Sequence, residues 1–178
     1  MTSTLSSSYI FSLLRDIEQR SRQGSLQHNN QHGVWTAIGF RVANEHFLVP
    51  LKQTREVFPV PSQITSVPKS EPWVFGIANL RGELLPLFDL KHFLYGKLTK
   101  VNKHSRIMVI NHPDIYSGLL IDEVFGLKHV QQRPEQFQEQ DNDIMPFVDG
   151  CVSQQDTQWK VFSFEKLASD IRFLNAAA

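Results

Sequence analysis

The chain has 178 residues, enough for one domain or for two very small ones that share a core. Its 18 basic and 18 acidic side chains cancel, which argues against bulk attraction to nucleic acid or anionic lipid. Cys151 is the single cysteine, which excludes an internal disulfide and a cysteine-rich zinc site and fits a reducing, cytoplasmic setting.

The order of elements begins with a segment unlike the rest. Ser3, Ser6, Ser7 and Ser8 open a polar stretch with no basic region and apolar core of the signal-peptide kind. Ile10, Leu13, Leu14 and Ile17 then recur at helical spacing, with Ser7 or Ser8 available as N-cap and Arg15, Asp16, Glu18 and Arg20 on the polar face. QGSLQHNNQHG follows as a linker. Residues 1–33 are therefore expected to form a short amphipathic helix on a leash, seated either on the domain itself or on a partner. The main domain is expected to span 34–178. No apolar run approaches the roughly 20 residues needed to cross a bilayer.

From Val34 the pattern changes to strands, expected at Trp35–Val42, Phe47–Leu51 and around Glu56-Val57-Phe58. Pro59, Pro61 and Pro68 punctuate the chain before Trp73–Leu90, a two-strand unit with Asn79-Leu80-Arg81-Gly82 at its turn. Pro86 lacks a ladder donor, so the second strand of this unit is expected at an edge or with a bulge. His92–Gly96 reads as a short helix and Lys97–Lys103 as an exposed loop. Arg106–Asn111 and Ile115–Ile121 are strands, and Asp122–Gly126 ends the second. Gln131–Asp143, with five Gln, is a surface loop. Phe147–Val152 and Trp159–Phe164 are the last strands. Phe164–Leu174 is expected as one closing helix capped by Ser163, with Phe164, Leu167, Ala168 and Ile171 on one face.

The two halves repeat. Asn44 precedes Glu56-Val57-Phe58 as Asn111 precedes Glu123-Val124-Phe125, an offset of 67 that also places Phe40 on Ile107 and Leu48 on Ile115. Trp73–Ile77 matches Phe147–Cys151 at an offset of 74, so the second copy is expected to gain seven residues within the Gln-rich loop. A duplicated supersecondary unit follows. One copy buries too little alone, so the expected fold is mainly β: two small five-stranded barrels side by side, over roughly 40–100 and 104–165, with a groove between them and a helix at each end of the chain.

A catalytic centre is hard to assemble from these residues. The histidines, at 28, 32, 46, 92, 104, 112 and 129, fall mostly in turns and loops, and no nucleophile elbow, Walker loop or dinucleotide fingerprint occurs. Cys151, aligned with Ile77, reads as a core side chain. No metal or cofactor is expected.

Three ordered motifs resemble the CheW-type coupling proteins. Gly76-Ile77-Ala78-Asn79-Leu80-Arg81-Gly82 with Leu85-Pro86-Leu87-Phe88-Asp89-Leu90 is similar to the family's signature, Gly118–Val124 to its second motif and Arg55-Glu56-Val57 to its Glu-Val. The likeness covers about 35–170. It implies SH3- or OB-like barrels with exchanged strands and a non-enzymatic adaptor between methyl-accepting chemoreceptors and a CheA-type histidine kinase, cytoplasmic and associated with membrane-attached arrays. Leu13–Glu18 before the strand Trp35–Arg41 resembles the PilI branch, which implies a PilJ-like receptor and control of type IV pili and twitching motility. The resemblance also implies a receptor site at Arg81, Glu56, Asn79 and Val57, with Glu56 as the partner of Arg81. Glu123, the matching acid of the second copy, is expected without a cation. Apolar residues of the first barrel, Leu84, Leu85, Leu87 and Phe88, are expected at the kinase contact. The competing class is a small barrel that binds single-stranded nucleic acid, for which exposed aromatics in a basic groove would be needed.

Overall fold

The computed structural model describes residues 34–136 and 143–177, so the helix expected within 1–33 and part of the Gln-rich loop lie outside the described residues. Among the described residues ten strands form two five-stranded sheets. Sheet 1 holds β1 (Trp35–Val42), β2 (Glu45–Pro50), β8 (Glu123–Val130), β9 (Val148–Gln154) and β10 (Thr157–Phe162), in the order β8-β1-β2-β10-β9. Sheet 2 holds β3 (Thr54–Pro59), β4 (Val74–Leu80), β5 (Glu83–Asp89), β6 (Arg106–Ile110) and β7 (Gly118–Ile121), in the order β3-β6-β7-β5-β4. Each sheet draws strands from both halves of the chain, which is the expected exchange. No helix among the described residues is long and apolar enough to cross a membrane.

Strand period two sends alternate side chains of one strand into two different cores. Leu48 points into the interior of sheet 1 with Ala37, Val130, Val152, Trp159 and Val161. Its neighbours Phe47 and Val49 point the other way, into a layer where Phe40, Phe88, Met108, Leu119 and Phe162 from the two sheets pack together. Each fully buried Leu or Phe contributes roughly 1.5–3 kcal/mol relative to exposure.

Neither sheet closes through a continuous ladder. In each, the chain leaving one edge strand returns to bridge the opposite edge: Thr65, beyond β3, pairs with Ile77 in β4, and Glu135, beyond β8, pairs with Cys151 in β9. Gly76 and Gly150 permit this approach. Their φ angles are +145° and +152°, and a Cβ on them would lie 2.7 Å from the Thr65 carbonyl and 2.6 Å from the Glu135 carbonyl.

Several sequence expectations change. Asp122–Gly126 does not end a strand, because Glu123 begins β8, whose ladder to β1 runs to Val130. β5 is not an edge strand. It lies between β4 and β7, and Pro86 is tolerated because the parallel ladder to β7 starts one residue later, at Leu87↔Gly118. The closing helix is two, α2 (Phe164–Ala168) and α3 (Ile171–Ala177), after α1 (Leu90–Tyr95) earlier in the chain. Ser163 caps α2 through Lys166 N–H at 3.2 Å. Asp170 then accepts from the N–H groups of Arg172 and Phe173 at 2.9 and 3.3 Å, which starts a new helix instead of extending the old one. Cys151 is half-buried, not a core residue.

The duplication is present, in a different register. The β3–β6 ladder skips Arg55 between Thr54↔Ile110 and Glu56↔Val109, and the β1–β8 ladder skips Phe125 between Phe40↔Val124 and Gly39↔Gly126. Bulge upon bulge gives an offset of 70, Arg55 to Phe125, which Thr65 and Glu135 share. The β4–β5 and β9–β10 hairpins carry bulges at Phe75 and Asp149, an offset of 74, so the second copy gains four residues (from 70 to 74) and not seven. The Glu-Val-Phe match at 67 is three residues out of step. An odd slip turns side chains to opposite faces, and Glu123 is not the counterpart of Glu56.

Candidate functional site: the mouth of sheet 2

The β4–β5 connection is a two-residue turn. Leu80 pairs with Glu83, leaving Arg81 at φ +53° and Gly82 at φ +87°. Two successive left-handed residues match the right-handed strand twist, as in a type I′ hairpin. The Asn79 side chain accepts from Gly82 N–H at 2.9 Å and locks the turn. Arg81 reaches Glu56 of β3 through Nη1 at 2.9 Å. Since β3 and β4 are the two edges of sheet 2, this ion pair spans the sheet's open end, where a continuous ladder would otherwise close it. The Arg81 side chain is 67% exposed and that of Glu56 is 17% exposed.

The mouth is a pocket of about 220 Å³ lined by Arg55, Glu56, Leu80, Arg81, Glu83, Val109 and Tyr116. Barrel mouths of this kind are common ligand positions. The bulge turns Arg55 over the Tyr116 ring, with Cζ 5.1 Å from the centroid. Burial, followed by the hydrogen bond to Glu83 and that carboxylate's charge, raises the Tyr116 phenol above its ordinary pKa. Two guanidinium and two carboxylate groups balance the charge of the mouth. Among the described residues no group of three or more His, Cys, Asp or Glu is placed to hold a metal ion.

Of the expected receptor residues, Arg81, Glu56 and Asn79 come together here. Val57 does not, because it is 6% exposed and packs into the layer between the sheets. Of the expected kinase residues, Leu84 alone reaches solvent, at 68% exposure, while Leu85, Leu87 and Phe88 are at 0, 0 and 1%. Their strand is interior and covered on both faces, so they hold the fold and cannot touch a partner. Glu123 is not alone either, since Arg41 lies 3.3 Å from its carboxylate. Arg55, Glu83 and Tyr116 were not foreseen. Arg55 could have been marked by its place beside Glu56, but no periodicity betrays a bulge, and Tyr116 arrives from the far half of the chain.

The corresponding end of sheet 1 is filled. Trp159 stands where sheet 2 has Leu85, and Gly39 where it has Val109. A Cβ on Gly39 would lie 3.2 Å from Trp159 Cζ3, so the missing side chain makes room for the indole. His46 and Phe125 pack on Trp159 at centroid distances of 5.2 and 5.7 Å and on each other at 5.3 Å. Lys128 Nζ lies 5.3 Å over the same indole.

A family model described as a CheW-like domain matches residues 36–172. The chain is 38% identical to the Pseudomonas aeruginosa protein PilI over 94% of its own length and 96% of that protein's. It is 32% identical to the chemotaxis protein CheW of Helicobacter pylori over 67% of this chain and 73% of the relative. The crystal structure of the scaffolding protein TtCheW from Thermoanaerobacter tengcongensis has the same fold, with a TM-score of 0.65 at 24% identity over 78% of this chain and 94% of that one.

Proposed function

The chain belongs to the CheW-like domain family, and on that premise we propose that it is a non-enzymatic adaptor coupling methyl-accepting chemoreceptors to a CheA-type histidine kinase. We infer further that it serves a chemosensory pathway for type IV pili and twitching motility, with a PilJ-like receptor, in arrays attached to the membrane. The observation that supports the narrower reading is the near full-length similarity to PilI. The observation that supports the site is the Arg81–Glu56 pair, held across the mouth of sheet 2 by a locked turn. In this reading the receptor engages the mouth, and the kinase engages an apolar patch that includes the exposed Leu84. A specific contact needs roughly 1,000 Å² or more, so Leu84 is one part of it.

The test measures binding of the purified protein to the receptor's cytoplasmic fragment and, separately, to the kinase. Arg81→Ala should fold normally and lose receptor binding. Truncating one member of a charge pair at an interface costs about 2–5 kcal/mol, and the lower end is expected at so exposed a position. Arg81→Glu should bind worse than Arg81→Ala, through repulsion with Glu56. Equal loss of both partners would point to a distorted turn, and loss of neither would remove Arg81 from the site. Residues 1–33 are proposed as an arm that folding does not require. A cooperative melt for residues 34–178 alone is the expected result, and its loss would place the arm in the core.

A further inference from the structure

We infer that the mouth of sheet 2 recognises a carboxylate side chain of its protein partner, seated between Arg55 and Arg81. This rests on the adaptor reading for the identity of the partner, and on the geometry of the mouth for the chemistry. The mouth's two carboxylates each face a donor of the mouth itself: Glu56 accepts from Arg81 at 2.9 Å, and Glu83 interacts with the Tyr116 phenol. A guanidinium has five donors in one plane and no acceptor. Arg55 Cζ lies over the Tyr116 ring, 5.1 Å from its centroid, a cation–π contact that holds the cation and engages no oxygen acceptor. No acceptor meets its N–H groups among the described residues. Arg55 is therefore the charged group of the mouth whose donors are still to be met, and its planar fork fits a carboxylate.

The walls favour the same ligand. Leu80 and Val109 give the pocket apolar sides, which lower the local dielectric and strengthen a charge-assisted hydrogen bond. About 220 Å³ holds one side chain and excludes a helix, so the partner would insert an Asp or Glu from an exposed position. Arg55 is a specificity residue on this account, and Tyr116 positions it. Sheet 1 carries Phe125 at the matching bulge, so the anion site belongs to one end of the molecule.

The first measurement needs no receptor. The Nε–H resonances of Arg55 and Arg81 are followed while N-acetylglutamate amide, and separately N-acetyllysine amide, is titrated into the full-length protein. Saturable shifts with the glutamate probe alone are expected, and they should vanish in Arg55→Ala. Shifts with the lysine probe alone, or with neither, overturn the inference. The second measurement uses the receptor's cytoplasmic fragment. Arg55→Ala should weaken binding about tenfold or more, as expected for loss of a charge-assisted hydrogen bond, with an unchanged melt and a shallower salt dependence. Arg55→Lys should fall between wild type and Arg55→Ala, because it keeps charge and loses the fork. Arg55→Glu should bind worst and recover with a receptor whose contacting acid is replaced by Lys. Wild-type affinity in Arg55→Glu, or tighter binding in Arg55→Ala with weaker binding in Glu83→Gln, would mean that a cation enters the mouth. A folded wild-type protein that responds to the glutamate probe and ignores the receptor would sink the adaptor reading and leave the carboxylate site standing.

Discussion

The two ends of this molecule descend from one plan and differ in what fills them. In sheet 1 a glycine at position 39 admits the Trp159 indole, and His46 and Phe125 close over it. In sheet 2 Val109 and Leu85 occupy the matching positions, the smaller side chains stop short, and charged groups surround the space that remains. The bulge, the bridging segment and the two-residue turn are common to both. Two core positions decide whether the end is filled, and two surface positions, Arg55 for Phe125 and Arg81 for Gln155, decide what an unfilled end can bind. One end is closed by aromatic side chains, and the other is left as an open, charged mouth.

The strongest way to break the comparison is Trp159→Ala. It removes the plug from a site where the indole is 6% exposed and should cost about 3–5 kcal/mol in a urea melt. Leu85→Ala, at the matching core position, should cost less, about 2–4 kcal/mol, because a smaller side chain is lost. Equal losses would mean that the indole contributes little beyond a leucine. Gly39→Ala tests the other half of the pairing. Its Cβ would press on Trp159 at 3.2 Å and on Lys128 at 3.3 Å, an overpacking cost of about 1–3 kcal/mol. The same change in a Trp159→Leu background should be close to neutral, since the obstructing ring is gone.

A smaller contrast lies beneath the plug. Lys160 pairs with Glu45 at 2.5 Å in sheet 1, where sheet 2 has Pro86 and Ile115. Burial first, then the Glu45 charge, holds the Tyr95 phenol well above its ordinary pKa of 10.0. The unfolded chain releases this proton near pH 10 and the folded chain retains it. The contribution is therefore intact below pH 10 and is lost as pH rises toward the folded value. Urea midpoints taken from about pH 9 upward should fall for wild type and fall less for Tyr95→Phe. The least effect on stability is expected at the open mouth itself. Arg81→Ala should melt within about 1 kcal/mol of wild type, because one side of the pair is largely solvated. A larger loss would make the ion pair a structural clasp, so that both ends would serve stability.

The strand content and the duplication were legible in the chain, because alternation and turn residues are local signals, whereas the Arg81–Glu56 pair was expected from the family resemblance. The register of the duplication was not legible. Glu-Val-Phe occurs twice at a spacing that the ladders contradict, and the matching bulges that mark the true register leave no trace in hydrophobic periodicity. Val57, Leu85, Leu87 and Phe88 were misplaced for a related reason. Alternation says which residues share a face, but here both faces meet a core. The start of β8 was hidden by Asp122-Glu123 and Gly126, which look like a terminator and are a strand entry with a bulge. Tyr116 and Arg55 become neighbours through tertiary pairing alone.

The exchange of strands has a consequence for the order in which the protein can assemble. Sheet 1 needs β8, β9 and β10 to flank β1 and β2, and sheet 2 needs β6 and β7 to separate β3 from β5. A nascent chain that ends near residue 100 therefore has every strand of its first copy and no complete sheet. Its long-range pairings wait for the second copy, so synthesis from the ribosome precedes folding instead of accompanying it. For the same reason a protease cut in the exposed loop at 97–103 would not release two domains. The fragments would stay interlaced, melt as one body and, once separated, recover structure only in each other's presence.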